Sequence, residues 1–294
     1  MQDEAVKPGS SLKLLALLVV IGSAVKTAGA VVGGSRALLI DSLTCYAGLV
    51  ALIATYWYLW ASRAPPDSDH PYGHARLKYG GLIVTLSAYM FASGAGTIAV
   101  ATGIHGYSIS AVAVPFAVAG ALIYAVALAL SRGLDPVIRR FAGFTATEIV
   151  ESSVSVVGAY LGSRIGFYYD LGGALIILLY VIHEAVEAHR YLVRMISDRS
   201  APANLYEVVR REAEARGLEM VNARLRMVDE VHCVGDIEVS APHDMPLELA
   251  DMLADELADS VKNKGCDVSV HVSASSRVGS RRGSGEGWKE GRSA

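Results

Sequence analysis

Six apolar runs, near 13–34, 37–61, 80–102, 109–131, 143–163 and 170–193, are each long enough to cross a hydrocarbon layer as a helix, which takes about 20 residues. No other pattern restricts the fold so strongly. In lipid every backbone N–H and C=O must be paired internally, so a chain with such runs has only helices open to it there. The composition agrees: 52% of the 294 residues are hydrophobic, 19% are charged and the mean hydropathy is +0.38, too apolar for an ordinary soluble domain. The first run follows a polar start and outlasts the 7–15-residue core of a signal peptide, so no cleavable leader is expected. An even number of spans puts both termini on one side. Lys7, Lys13, Arg63, Arg76, Lys78, Arg132, Arg139, Arg140, Arg190, Arg194 and Arg199 flank that face, against Arg36 and Arg164 on the other. The positive-inside rule then places both termini, and the loop after the second span, in the cytoplasm.

After Arg199 the residues become those of a small soluble domain. "NLYEVVRREAEARG" has amphipathic-helix periodicity and "NARLRMV" and "GDIEVSA" alternate like strands. Leu247, Ala250, Leu253, Ala254, Leu257 and Val261 form a helical stripe, and "DVSVHVS" alternates again. The expected organisation is a cytoplasmic N-terminus over 1–12, a six-span membrane domain over 13–199, an α-β-β-α-β domain over 200–274 and a disordered Gly/Ser/Arg-rich tail over 275–294. A module of about 75 residues is small for a stand-alone core, which favours a homodimer. The net charge of −3 and pI of 6.2 offer no basic footprint for a nucleic-acid partner. Cys45, Cys233 and Cys266 show no paired spacing, so neither a disulfide framework nor a CxxC zinc site is expected.

Ionisable side chains at bilayer depth cost at least about 2.5 kcal/mol on insertion scales and normally face a cavity, a partner or a ligand. Asp41 lies about one turn into the second span, and Cys45 follows four residues later on the same helical face. The fifth span carries Glu148 and Glu151, three apart and also on one face. Two helices offering oxygen and sulfur donors suit a divalent cation, which needs several anionic or lone-pair ligands to replace its water. Structural alternatives stay open: Asp41 as an N-cap, Cys45 as a small core residue, Glu148 near the interface. Lys26, alone in the first span, either snorkels or pairs with Asp41 or another acid. In the loop "PPDSDHPYGHARLKYGG", Asp67, His70 and His74 bear metal-capable groups at spacings of three and four, with Pro65, Pro66, Pro71 and Gly73 restricting the backbone between them.

The stretches "GGSRALLIDSLTCYAG" and "SRAPPDSDHPYGHAR" resemble the cation diffusion facilitators, exporters of divalent transition metals in exchange for protons. In that family a His or Asp precedes Ser-Leu-x-Asp in the second span, and Pro-x-Asp-x-x-His-Pro-x-Gly-His with a basic residue follows. The resemblance implies transport ligands at Asp41 and Cys45, the latter where the family generally has Asp, and at Glu148, which lies ten residues before Gly158 and 22 before Asp170. Phe144 stands where a further His or Asp is expected, so Glu151, Thr147 or a water would complete the shell. The resemblance also implies a loop site at Asp67, His70 and His74 that orders the loop or tunes transport. Glu238, Asp251 and His271 fall near positions where relatives bind metal in the cytoplasmic module, though several expected histidines are absent.

The function expected on these grounds is proton-coupled efflux of a divalent cation by alternating access, the ion being zinc, iron, manganese, cobalt or cadmium. Membrane lipid, protons and a second copy of the chain are the implied partners. The alternative is a non-transporting metal sensor or interaction protein on the same scaffold. An enzyme is not expected. "VIHEAVEAHRY" has Glu187 where the HExxH protease motif needs its second histidine, and no GxxxxGK motif followed by Ser or Thr points to a nucleotide. Gly22, Ala30, Gly33 and Gly34 are read as small residues that permit close helix packing.

Overall fold

In the computed structural model, residues 10–134, 138–139, 147–229 and 231–274 are described. The chain divides into two compact units, one ending at Val193 and the other beginning at Arg194. The first unit holds α1 (Ser10–Gly33), α2 (Arg36–Ala61), a short 3-10 turn (Ala75–Leu77), α3 (Lys78–Gly103), α4 (Ala113–Ser131), α5 (Thr147–Arg164) and α6 (Phe167–Ile196). Five of these helices are long and apolar enough to cross a membrane; α5 is the exception. Its 18 residues include Glu148, Glu151, Ser152 and Ser155, all buried, whereas Ile149, Val150, Val157 and Tyr160 point outward. A helix that hides its polar residues and shows lipid its apolar ones has low average hydropathy yet suits a membrane, so α5 completes the six spans.

The turn between α1 and α2 is two residues long because Gly34 takes φ +71°, and a Cβ there would also approach the Ser108 carbonyl oxygen to 2.5 Å. Ser35 then caps α2 in an extended conformation, its hydroxyl accepting from the Leu38 N–H at 3.1 Å. Buried residues of α1, α2 and α4, including Leu15, Val19, Leu52 and Tyr124, form one apolar cluster. Residues of α2, α3 and α6, including Ile40, Tyr89, Ile177 and Val181, form another. Thus α2 has apolar neighbours on two sides.

The second unit follows the expected α-β-β-α-β order: α7 (Ala203–Glu214), β1 (Glu219–Met227), β2 (Cys233–Ala241), α8 (Leu247–Lys262) and β3 (Cys266–Ala274). β2 is central, antiparallel to β1 and parallel to β3. Alternation decides the faces: Ile237 and Val239 pack with Val209 and Ala213 of α7 and with Ala250, Leu257 and Val261 of α8. Both helices therefore cover one sheet face. Glu212 fastens the two helices at their ends, accepting from Lys264 Nζ at 2.6 Å, Arg216 Nη1 at 2.8 Å and Ser260 Oγ at 2.8 Å.

The cysteine expectation is corrected here. Cys233 and Cys266, 33 residues apart, form a disulfide with a Cα–Cα distance of 4.4 Å. They are directly opposite in the β2–β3 register, a proximity created by the parallel crossover through α8 rather than by any spacing. Cys45 is the free thiol. The expected tail over 275–294 lies outside the described residues.

Two measurements check these contacts. Alkylation of the denatured chain should label one cysteine without reductant and all three after reduction. The donors around Glu212, Lys264 first, lower its pKa from 4.5 to about 2. Its stabilising contribution is therefore full above pH 4.5 and lost as the pH falls toward 2. Glu212→Gln should lower the Tm at pH 7, and the difference from the unaltered chain should close across that acid window.

Candidate intramembrane cation site

Lys26 projects from the middle of α1 into a pocket that suits a long side chain. Gly120 of α4 leaves the room, since a Cβ there would run into Lys26 Cγ, and the Tyr124 ring centroid lies 5.1 Å from Nζ. The ammonium donates to Asp41 Oδ1 at 2.8 Å, to Ser152 Oγ at 2.8 Å and to Cys45 Sγ at 3.3 Å. An ammonium has three N–H groups, and all three are used. Asp41 is equally engaged: Ser152 Oγ lies 3.3 Å from Oδ1 and Ser155 Oγ 2.6 Å from Oδ2. Lys26, Asp41, Cys45 and Ser155 have no exposed surface at all. Of the two fates open to Lys26, pairing with Asp41 is the one observed.

Glu148 and Glu151 lie beside this cluster. The Tyr89 hydroxyl donates to Glu148 Oε1 at 3.3 Å. Glu148 Oε2 and Glu151 Oε2 are buried without a hydrogen-bond partner, and each residue is only 3% exposed. Glu148 lies within electrostatic reach of Lys26, Asp41 and Glu184 of α6. The structure therefore brings Asp41 and Cys45 of α2 against α5, as the sequence leads one to expect, but with Lys26 at the meeting point. Phe144 lies outside the described residues, as does the Thr147 side chain. Glu184 accepts from Tyr180 at 2.8 Å, and Glu187 pairs with Arg190 at 2.9 Å.

The loop trio does converge. Ligand atoms of Asp67, His70 and His74 all lie within 4.8 Å of one another, the one such set of three or more among the described residues. Asp67 Oδ1 accepts from the backbone N–H of His70 at 2.7 Å and of Asp69 at 3.0 Å. Those bonds, with the two imidazoles nearby, hold the carboxyl below its usual range. His74 Nδ1 lies 3.1 Å from the Pro65 carbonyl. A proton on Nδ1 satisfies that carbonyl and leaves the Nε2 lone pair on the Asp67 side, 3.4 Å away.

Among the described residues, the second unit gathers no comparable set. Glu238 and His271 are cross-strand neighbours on β2 and β3, opposite in register to the face that carries Ile237. Asp251 is exposed on α8, which covers the other face. The three expected positions are thus not brought together within one chain.

Matched against known proteins, residues 12–197 fit the model of the cation efflux transmembrane domain. The chain belongs to the cation efflux family. It is 24% identical over 257 residues to the manganese efflux system protein MneP of Bacillus subtilis, covering 80% of this chain and 85% of that one. It is 38% identical over 64 residues to an uncharacterized transporter of Synechocystis, covering 20% and 21% of the two chains. The protein is accordingly an integral, multi-pass membrane protein of a family of metal-ion transporters.

One functional position carried no recognised role in the sequence. Asp170, in the first turn of α6, accepts from Ser35 Oγ at 2.6 Å, the Arg36 N–H at 2.6 Å, the Ala37 N–H at 3.3 Å and the Tyr107 hydroxyl at 2.8 Å. It thereby caps the helix that carries Asp41, and an acid at an N-terminus also complements the helix dipole. An acid at the first turn of an apolar span was the available signal. Asp170→Ala should cost about 1–3 kcal/mol for each buried donor left without an acceptor. A fall in the Tm of the detergent-solubilised chain, smaller for Asp170→Asn, checks it.

Proposed function

We propose that this chain exports a divalent transition-metal cation from the cytoplasm in exchange for protons, the ion passing the buried acids of α2 and α5. The observation that carries this reading is the pair of 3%-exposed carboxylates, Glu148 and Glu151, each with an unpartnered oxygen, in a chain of the cation efflux family. Buried carboxylate oxygens without partners are costly, and a divalent ion offsets that cost. Manganese(II) is the favoured cargo. The buried ligand-capable side chains of the membrane unit among the described residues are carboxylates, hydroxyls and one thiol with no imidazole, which suits manganese or iron better than zinc, and the B. subtilis relative is a manganese efflux protein. Protons compete for the same groups because ligands must be deprotonated, so exchange follows from shared ligands. Rocking of helices about the site supplies alternating access. Both termini and the 62–74 loop face the cytoplasm, where Asp67, His70 and His74 hold an ion that orders the loop. The second unit pairs with its copy to form a homodimer.

One observation favours the second reading, a sensor or interaction protein that does not transport: the Lys26 ammonium already sits on Asp41 and Cys45. That reading gives metal binding at the loop without flux. Reconstituted vesicles under an imposed pH gradient separate the two. The intact chain should carry Mn2+, and Asp41→Ala and Glu148→Ala should each slow the initial rate about tenfold or more. Equal rates in all three would reject the site; loop binding without any flux would establish the sensor.

A further inference from the structure

We propose that Lys26 is a tethered cation that fills the Asp41–Cys45–Ser152 half of the intramembrane site, leaving Glu148 and Glu151 to hold the mobile divalent ion. This rests on the efflux reading and specifies its site.

The first support is saturation. Every N–H of the ammonium is spent on Asp41, Cys45 or Ser152, and both oxygens of Asp41 are bonded. An incoming ion reaches Asp41 Oδ1 only by evicting Lys26, and the charge of Asp41 is already matched by the ammonium. The second is shape: Gly120 clears space for the lysine stem and Tyr124 offers its ring to the head, so the position is built to keep the side chain inside. The third is independent of Lys26. Glu148 Oε2 and Glu151 Oε2 are the carboxylate oxygens among the described residues that are buried and unpartnered, three residues apart on one face of α5.

Charge then partitions the site. Lys26 neutralises Asp41, and two further carboxylates match a doubly charged ion without help from α2. Tyr89, already donating to Glu148 Oε1, stands at the same place with an oxygen donor. With the thiol engaged by Lys26, the mobile ion meets oxygen alone, a hard environment that suits Mn2+ and disfavours thiophilic ions. Lys26 then acts as a specificity-determining residue: it masks the buried free thiol, Cys45.

The test measures Mn2+ binding by the electron paramagnetic resonance of free Mn2+, using the full chain in detergent with the loop trio silenced by Asp67→Ala, His70→Ala and His74→Ala. In that background Glu148→Gln or Glu151→Gln should raise the Kd about tenfold or more. Cys45→Ala should leave it within about threefold, since the thiol is not a ligand. Lys26→Met should tighten Mn2+ binding by about tenfold, because the competing internal cation is gone, and should make the Cys45→Ala change costly. Gel filtration confirms that each variant is folded. Cys45→Ala weakening binding as much as Glu148→Gln, with Lys26 in place, would overturn the proposal, and that comparison decides even if Lys26→Met fails to fold. The efflux reading fails by a different result: vesicles of Glu148→Gln carrying Mn2+ at the unaltered rate.

Discussion

The contact between the Lys26 ammonium and the Asp41 carboxylate is the condition on which the membrane unit rests. Either charge alone at bilayer depth costs at least about 2.5 kcal/mol on insertion scales, and removing one partner of a buried pair typically costs about 3–5 kcal/mol. The pair is satisfied only while three helices stay in place, because α1 supplies the cation, α2 the anion and α5 the two serine hydroxyls that complete both shells. A fourth, α4, contributes an absence, the missing Cβ of Gly120. Apolar packing in lipid has little direction of its own. A hydrogen-bonded charge pair supplies that direction and sets which faces of the helices meet.

The second unit reaches its fold by other means. Its apolar sheet face is covered by two helices, α7 is joined to the turn after α8 through Glu212 and Lys264, and β2 is bonded covalently to β3. Disulfides are uncommon where glutathione keeps thiols reduced. The Cys233–Cys266 bond therefore ties the state of this core to the compartment in which it folds.

The sequence revealed what depends on periodicity and short spacing. Long apolar runs and alternating segments located α1 to α8 and β1 to β3 within a few residues, and the Asp67, His70, His74 trio converges because its spacing lies within one proline-bounded loop. Contacts that depend on tertiary register were not legible. Nothing in the first span says whether Lys26 reaches inward or snorkels; that is decided by Gly120, on a helix about 90 residues later. The partnership of Cys233 with Cys266 arises from a parallel crossover, and the cap made by Asp170 spans 134 residues to Arg36. The Glu238, Asp251, His271 expectation rested on a resemblance rather than on facing positions, and α8 places Asp251 across the sheet from the other two.

Asp170 gives the membrane unit a fixed corner. One carboxylate, carried by the first turn of α6, binds the start of α2 and the tyrosine of the segment between α3 and α4. Parting α2 from α6 there breaks several hydrogen bonds at once in a place where the freed N–H groups meet little water. Separation of the same helices at their opposite ends breaks none of them. The Asp170 end of this helix pair is thus a fastened one, held by a single side chain.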